Sequence, residues 1–277
     1  MLENPVLIFA AICLPVSTVY LLAPYFLRLQ KFKKITALNF RGAIIVNAGG
    51  LLLFAALLSV QILHYLYLPK NFFANWPVLL YWGGVTLLGL LDDLHGEKKC
   101  KGFRGHLLKF WRGEGISTGL YKAAGGLLLG ILISAWIGGG GTRLEWLCRG
   151  IFLALFSNLF NLMDTRPARS AKFFFLVSLI FVLIYRDLPL PLISLWSALY
   201  IYLFWELEQK IMLGDTGAYL LGVVLGLYLV LRLPLNVLFI LIGLLLVLHY
   251  LGERFSWNVF LENNKLLLPR QFPGGKN

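Results

Sequence analysis

The stretch Gly89-Leu-Leu-Asp-Asp-Leu-His-Gly96 decides how the rest of the chain is interpreted. Its adjacent aspartates, Asp92 and Asp93, follow a run of 21 uncharged residues that begins at Asn71. The most basic loop of the chain comes next, with seven Lys or Arg residues from Lys98 to Lys122. Carboxylates at the end of a membrane-length apolar run are costly to place there, so their presence indicates a functional site.

The composition around this stretch is that of a membrane protein. The chain has 277 residues, of which 59% are hydrophobic and 14% charged, and its mean hydropathy is +0.77. Soluble proteins carry about 25% charged residues. We therefore expect an all-α, polytopic transmembrane helix bundle that forms a single integral membrane domain over residues 1–277, with a cytoplasmic tail at 253–277.

Uncharged runs long enough to form helices recur along the whole chain and predict about nine spans. A span needs about 20 apolar residues. The sixth run is short, and we expect it to extend back through Ala171 with Lys172 snorkelling to the surface. The predicted spans are 4–27, a segment within 42–69, 71–91, 123–142, 144–163, 173–185, 188–205, 216–231 and 233–252.

The distribution of Lys and Arg predicts the orientation of these spans. If the N-terminus is outside, 20 of the 25 basic residues fall in cytoplasmic segments and five fall outside. This bias follows the positive-inside rule and places the C-terminal tail in the cytoplasm. It also accounts for the net charge of +12 without a nucleic-acid partner, which we do not expect.

The aspartates share one side of this predicted topology. Four of the five fall at the cytoplasmic boundary, and only Asp187 lies outside. Acidic residues contribute little to topology, so topology does not explain this pattern. Mg²⁺ takes few carboxylates and completes its shell with water and phosphate oxygens, while Lys and Arg neutralise the remaining phosphate charge. The four residues, which together predict a magnesium–phosphate site, are Asp92, Asp93, Asp164 and Asp215.

Each aspartate also has a structural interpretation of its own. Asp215 lies in Gly214-Asp-Thr-Gly217 at the start of a span, where it could act as a helix N-cap. Asp164 could be a boundary residue, and the Asp92–Asp93 pair could be solvated loop charge. Their common position makes these separate explanations weaker than a shared site.

Polar side chains near the aspartates extend the predicted site. Asn158, Asn161 and Asp164 recur at i, i+3 and i+6, near one face of the fifth span. The glycines that flank Asp215 allow close approach of the backbone, and helix N-terminal amides attract anions. Lys122, at the start of the fourth span, lies across the basic loop from the aspartate pair and is a candidate phosphate ligand.

With these motifs the chain resembles the polyprenyl-phosphate N-acetylhexosamine-1-phosphate transferase superfamily, as a divergent member. That superfamily includes the phospho-N-acetylmuramoyl-pentapeptide transferase and the undecaprenyl-phosphate N-acetylglucosaminyl-1-phosphate transferases of bacteria. The loop Asn39-Phe-Arg-Gly42, followed by Gly49-Gly50, also resembles a loop of the family. The three motifs that carry the resemblance are Gly89-Leu-Leu-Asp-Asp93, Asn158-Leu-Phe-Asn-Leu-Met-Asp164 and Gly214-Asp-Thr-Gly217.

The resemblance implies a reaction. A membrane polyprenyl phosphate, such as undecaprenyl phosphate, attacks the β-phosphorus of a UDP-sugar with Mg²⁺ as cofactor and gives lipid-diphosphate-sugar and UMP. The location would be the bacterial cytoplasmic membrane, with a homodimer as one form. By this resemblance the catalytic and metal residues are Asp92, Asp93 and Asp215, and the substrate-binding residues are Lys122, Asn158, Asn161 and Asp164.

The chain departs from the family at two places. After Asp164 it continues Thr-Arg-Pro-Ala-Arg169, so Pro167 stands where the family has a second aspartate near the nucleotide. Arg166 and Arg169 enter instead, and we expect them either to contact substrate or to serve only topology. The histidine-rich loop of the family is absent, and Glu262, Asn264 or Lys265 are candidate substitutes.

These departures leave a second interpretation open. A catalytically silent relative could bind lipid phosphate or a nucleotide sugar and regulate cell-envelope assembly. A transporter is less consistent with the sequence because no carboxylate falls in mid-span. A CDP-alcohol phosphotransferase would need a further aspartate array that the residues after Asp164 do not supply.

Overall fold

The computed structural model describes residues 5–32, 35–67, 72–96, 111–112, 115, 117–138 and 141–254. These residues form nine α-helices and one short β-hairpin. The helices are α1 (Pro5–Leu27), α2 (Gly50–Tyr67), α3 (Trp76–His95), α4 (Thr118–Ile137), α5 (Arg143–Met163), α6 (Arg169–Tyr185), α7 (Leu190–Leu207), α8 (Gly214–Val230) and α9 (Leu235–Arg254). The strands are β1 (Thr36–Leu38) and β2 (Ile44–Val46).

The prediction of an all-α polytopic bundle is confirmed at this level, because each predicted span corresponds to one helix. Seven of the helices are long and apolar enough to cross a membrane, which makes the chain a multi-pass membrane protein. The other two, α6 and α8, have 17 residues each and are shorter than expected for a full span. The nine-span count and the orientation stay predictions. Residues 97–110 of the basic loop and 255–277 of the tail, including Glu262, Asn264 and Lys265, lie outside the described residues.

Local sequence signals explain where several helices begin. Thr142 precedes α5, and its side chain accepts a hydrogen bond from the Glu145 amide at 3.3 Å, the first half of a capping box. Helices α3 and α7 each have proline at the first or second helical position, where no backbone donor is lost. After these starts the helices continue through their long apolar runs, and α1 does so even across Pro15 and Pro24.

Helix α8 is the centre of the bundle. Every residue from Thr216 to Val230 is buried, and the helix packs against α2, α3, α5, α6 and α7. A helix that is apolar on all sides is stable only when it is enclosed in this way. The first turn of α8, which carries Asp215, is therefore held by several neighbouring helices at once.

The peripheral helices present apolar side chains outward. Helix α1 packs against α2 and α7, α4 against α3 and α5, and α9 against α5. The outer faces of these helices carry large exposed side chains such as Phe9, Leu128 and Ile240. This apolar exterior fits the hydrocarbon region of a bilayer, where backbone groups are satisfied within each helix.

The β-hairpin between α1 and α2 was not predicted from the sequence. Its strands are antiparallel, with Thr36 opposite Val46 and Leu38 opposite Ile44. The Asn39-Phe-Arg-Gly42 motif forms its turn, because the Asn39 side chain accepts hydrogen bonds from the Arg41 and Ala43 amides, both at 2.9 Å. The hairpin then fixes the residues before α8, since the Met212 amide donates to the Val46 carbonyl at 2.8 Å.

Candidate functional site

Two aspartates from different helices meet at one lysine. We call Asp92, Lys122 and Asp215 the carboxylate–lysine cluster. The Lys122 ammonium lies 2.6 Å from Asp92 Oδ2 and also forms an ion pair with Asp215 Oδ2. The Lys122 side chain is 9% exposed, while those of Asp92 and Asp215 are 17% and 25% exposed. The cluster is thus sheltered on the lysine side and reachable on the carboxylate side.

The lysine is also held by an aromatic ring. The Lys122 ammonium lies 4.8 Å from the centroid of the Tyr219 ring, a cation–π contact. The Tyr219 hydroxyl donates a hydrogen bond of 2.5 Å to Asn158 Oδ1. Asn158, predicted to bind substrate, is therefore brought next to the cluster and linked to it through Tyr219.

Asp93 makes a different set of contacts from its neighbour. Its Oδ1 accepts hydrogen bonds from Asn47 Nδ2 at 2.9 Å and from the Asp215 amide at 3.0 Å. Its Oδ2 accepts from the Thr216 amide at 2.9 Å and from the Thr216 hydroxyl at 2.5 Å. Asp93 therefore caps the N-terminus of α8 from another helix, which leaves the Asp215 side chain free to reach Lys122.

Two glycines allow these helices to meet. Gly214 has φ +69°, and a Cβ there would lie 2.5 Å from Asn47 Oδ1 and 2.6 Å from Asp93 Oδ2. A Cβ at Gly89, one turn before Asp93 on α3, would lie 2.7 Å from the Asp215 carbonyl oxygen. The glycines of the first and third motifs are thus required by the close crossing of α3 and the start of α8.

Asp164 follows the end of α5 and adds a further negative charge to this end of the bundle. Its carboxylate accepts a hydrogen bond from the Gly214 amide. Burial raises the pKa of Asp164 well above its usual value, and the nearby negative charges of Glu206, Asp215 and Asp93 raise this pKa further. Asp93, Asp164 and Asp215 therefore lie close enough to interact electrostatically, and Asp92 joins Asp215 at Lys122.

A pocket opens between the β-hairpin and the segments that follow α5 and α7. We call it the hairpin pocket. It has a cavity volume of about 70 Å³. Its polar lining residues are Asn39, Asp164, Thr165, Arg166, Glu206 and Gln209. The Asn39 side-chain amide donates to Gln209 Oε1 at 3.0 Å, so the hairpin turn is tied directly to the end of α7.

Of the remaining predicted site residues, Arg166 lines this pocket and Arg169 contacts Thr165 on its wall. The Arg166 guanidinium lies 4.5 Å from the centroid of the Phe40 ring on the pocket wall. Arg169 begins α6, and its guanidinium donates to the Thr165 hydroxyl. Asn161 is half-buried in the last turn of α5, and its backbone carbonyl accepts from the Asp164 amide at 3.2 Å. Arg166 is thus at the pocket, whereas Arg169 supports the loop that forms it.

Glu206 is the residue that the sequence analysis missed. It lies in the last turn of α7, is 4% exposed, and accepts hydrogen bonds from the backbone amides of Ala168 and Leu213. Its Oε2 has no hydrogen-bond partner among the described residues. A buried, unpaired oxygen costs about 1–3 kcal/mol. The signal that could have found Glu206 is the one that found Asp92, an acid directly after a long uncharged run.

The carboxylate–lysine cluster fits a hard divalent cation. Asp92 and Asp215 direct oxygens at one positive centre, and Mg²⁺ commonly binds through one or two protein carboxylates with substrate phosphates completing its shell. No group of three or more His, Cys, Asp or Glu side chains suited to a metal occurs in the described part of the chain. Each carboxylate oxygen of Asp93 already accepts two hydrogen bonds, which leaves less room for a metal ion. The assignment of Asp93 as a metal ligand therefore stays a prediction.

In comparisons with known proteins, neither a protein-family model nor a curated protein matches this chain. The resemblance to the sugar-1-phosphate transferases therefore depends on the three motifs, and it stays a prediction.

Proposed function

We propose that this protein transfers a sugar-1-phosphate from a UDP-sugar to a membrane polyprenyl phosphate, with release of UMP. The reaction takes place at the carboxylate–lysine cluster, on the cytoplasmic face, with Mg²⁺ as cofactor. The observation that carries the proposal is the convergence of Asp92 and Asp215 on the Lys122 ammonium. Carboxylates for a cation and a lysine for phosphate are the two elements that a diphosphate substrate requires.

The chemistry needs little from the protein beyond positioning and charge. An oxygen of the lipid phosphate attacks the β-phosphorus of the UDP-sugar, and the bond to the bridging oxygen breaks, so that its electron pair leaves with UMP. The acceptor is largely dianionic at neutral pH because the second pKa of a phosphate monoester is about 6. Bound Mg²⁺ supplies charge neutralisation for the diphosphate. Electrostatic stabilisation then dominates, as in other phosphoryl transfers.

The residues of this chain divide these tasks. Asp92 and Asp215 would hold the cation, and Lys122, which pairs with both carboxylates, would bind the phosphate oxygens. Asp93 acts as a positioning residue, because its hydrogen bonds to the first turn of α8 fix the backbone that carries Asp215. Tyr219 and Asn158 hold Lys122 within reach of both partners.

A second candidate function also has a specific observation in its favour. Lys122 pairs with both carboxylates at once, so one positive charge already lies between Asp92 and Asp215. This arrangement suits a silent relative that binds lipid phosphate or a nucleotide sugar without turnover. The two functions differ in turnover: a silent relative would bind the ligand but form no product, whereas the transferase would do both.

The orientation belongs to the same proposal. We place the N-terminus outside and the cluster at the cytoplasmic side, where UDP-sugars are available. The excess of Lys and Arg in the loops on that side supports this placement. Cysteine labelling from outside intact cells at the Asp187 end of the bundle, but not at the Asp215 end, is the expected result.

The direct test of activity uses purified full-length protein, Mg²⁺, undecaprenyl phosphate and a panel of UDP-sugars. We expect release of UMP with at least one sugar and formation of the matching lipid-diphosphate-sugar. Product with no sugar, while UDP-sugar and metal still bind, would favour the silent relative instead. Asp187→Asn is the matched control, because Asp187 pairs with Arg232 at the opposite end of α8.

A further inference from the structure

Glu206 combines burial with an unsatisfied oxygen at a pocket wall. The residue is 4% exposed, and its Oε2 has no hydrogen-bond partner among the described residues. It also lines the hairpin pocket, which is open to solvent next to Asp164. Its two backbone contacts, to the Ala168 and Leu213 amides, fix the carboxylate in place. A fixed carboxylate with one unused acceptor position is arranged to receive a hydrogen bond.

The charge of the pocket decides which part of a ligand can enter it. Asp164 and Glu206 are both acceptors when ionised, and with the single guanidinium of Arg166 the pocket lining keeps a net negative charge, so an anionic group would be disfavoured. A phosphate is instead favoured at Lys122. Gln209 uses its Oε1 to accept from Asn39, which leaves its amide nitrogen as a donor beside the two acids. The hairpin pocket therefore suits an uncharged group that offers O–H or N–H donors and one acceptor.

We infer that Glu206 is a specificity-determining residue that accepts a hydrogen bond from a hydroxyl or imide N–H on the uncharged portion of the nucleotide sugar. This inference rests on the proposed function and adds a residue and a ligand chemistry to it. The donor group belongs either to the nucleoside or to the transferred sugar, since both carry hydroxyls. The diphosphate between them stays at the carboxylate–lysine cluster. Glu206 thus recognises the uncharged portion of the substrate, away from the reacting phosphorus.

The test compares full-length wild type with Glu206→Gln, which keeps the shape of the side chain and removes its charge. Glu208→Gln is the matched control, because Glu208 is exposed on the same helix end and pairs with Lys210. Loss of a charge-assisted hydrogen bond should raise KM for the UDP-sugar about tenfold and change kcat less than about twofold. A purely structural role would instead lower kcat and the thermal midpoint together. Unchanged KM in Glu206→Gln would overturn the inference.

Calorimetric titrations of UMP and of N-acetylglucosamine-1-phosphate identify the source of the donor group. If Glu206→Gln binds UMP about tenfold more weakly than wild type does, the donor group belongs to the nucleoside. If it instead binds the sugar phosphate about tenfold more weakly, the donor group belongs to the sugar. These titrations also distinguish failure of the proposed function from failure of the inference about Glu206. If wild type binds either probe but releases no UMP, the proposed function fails, and weaker binding by Glu206→Gln than by Glu208→Gln still supports the inference. Equal binding by both variants, or no binding of either probe to wild type, overturns it.

Discussion

The carboxylate–lysine cluster and the hairpin pocket lie side by side but balance their negative charge differently. In the cluster, Asp92 and Asp215 share the ammonium of Lys122. In the pocket, Glu206 receives only backbone amides and keeps one oxygen unpaired among the described residues. In the proposed function a metal ion replaces the ammonium in the first region, whereas the second region takes an uncharged hydrogen-bond donor. In this proposal the cluster carries out the chemistry and the hairpin pocket recognises the substrate.

The same contrast occurs between two adjacent residues. Asp92 turns toward Lys122, whereas Asp93 turns toward the N-terminus of α8. Consecutive residues on a helix point about 100° apart, so a neighbouring pair can serve two different helices. One aspartate is available to a ligand, and the other is used by the fold.

The largest effect is expected from Asp215→Asn, which removes one of the two converging charges. Loss of a preorganised electrostatic group should reduce the rate of UMP release by about 1,000-fold. Thermal unfolding in detergent should stay close to wild type, because the Asp93 cap of α8 is intact. Turnover within about tenfold of wild type would remove Asp215 from the cation site.

Lys122→Met should reduce turnover by about 100-fold, because the diphosphate loses its cationic partner. It should at the same time strengthen Mg²⁺ binding, since the ammonium no longer competes for Asp92 and Asp215. Lys210→Met is the matched control, as Lys210 pairs with the exposed Glu208. Titration calorimetry and UMP release measured on the same preparations distinguish the two effects. Weaker Mg²⁺ binding in Lys122→Met would contradict the proposal that the ammonium and Mg²⁺ compete for the same two carboxylates.

Asp93→Asn should act mainly on stability. An asparagine keeps one acceptor oxygen and faces the Thr216 donors with an amide, so the free energy of unfolding should fall by about 1–3 kcal/mol. Turnover should fall less than in Asp215→Asn, by about tenfold, because Asp215 is displaced rather than removed. Chemical denaturation in mixed micelles measures the first effect. Asp92→Asn, compared in parallel, should also lower the free energy of unfolding, because it removes one of the two ion pairs of the buried Lys122 ammonium.

Asp164→Asn should have the smallest effect of these substitutions. It should raise the stability of the protein, whereas Asp93→Asn should lower it. Because the pKa of Asp164 is raised in the folded protein, folding favours its protonated form. Metal-free wild type should lose stability as pH rises above the unfolded pKa of about 3.9, until the raised folded pKa is passed. The variant should lack this loss and show a thermal midpoint about 3 °C higher at pH 8. A lower midpoint would mean that the ionised carboxylate stabilises the fold.

The sequence was informative about helices and about which acids gather together. Long apolar runs located each of the nine helices α1 to α9, because few other folds accommodate such runs. The positive-inside distribution then predicted a common end of the bundle for Asp92, Asp164 and Asp215. In the structure Asp164 lies near Asp215, and Lys122 joins Asp215 to Asp92. These predictions depend on composition and spacing, which can be taken from the sequence without knowing how the helices pack.

The sequence was uninformative where a contact depends on a distant segment. The hairpin was missed because Thr36 to Val46 is short and lies between two dominant apolar runs. Glu206 accepts hydrogen bonds from the backbone amides of Ala168 and Leu213, which approach it only in the folded bundle. The division of tasks between Asp92 and Asp93 likewise depends on the direction in which α3 crosses α8.

The most direct test of this account is Mn²⁺ binding, measured by electron paramagnetic resonance, in wild type and in the three single variants Asp92→Asn, Asp93→Asn and Asp215→Asn. Mn²⁺ prefers the same oxygen ligands as Mg²⁺. The account predicts one site that is lost in Asp92→Asn and Asp215→Asn and kept in Asp93→Asn. Equal binding by all four proteins, or loss only in Asp93→Asn, would contradict it.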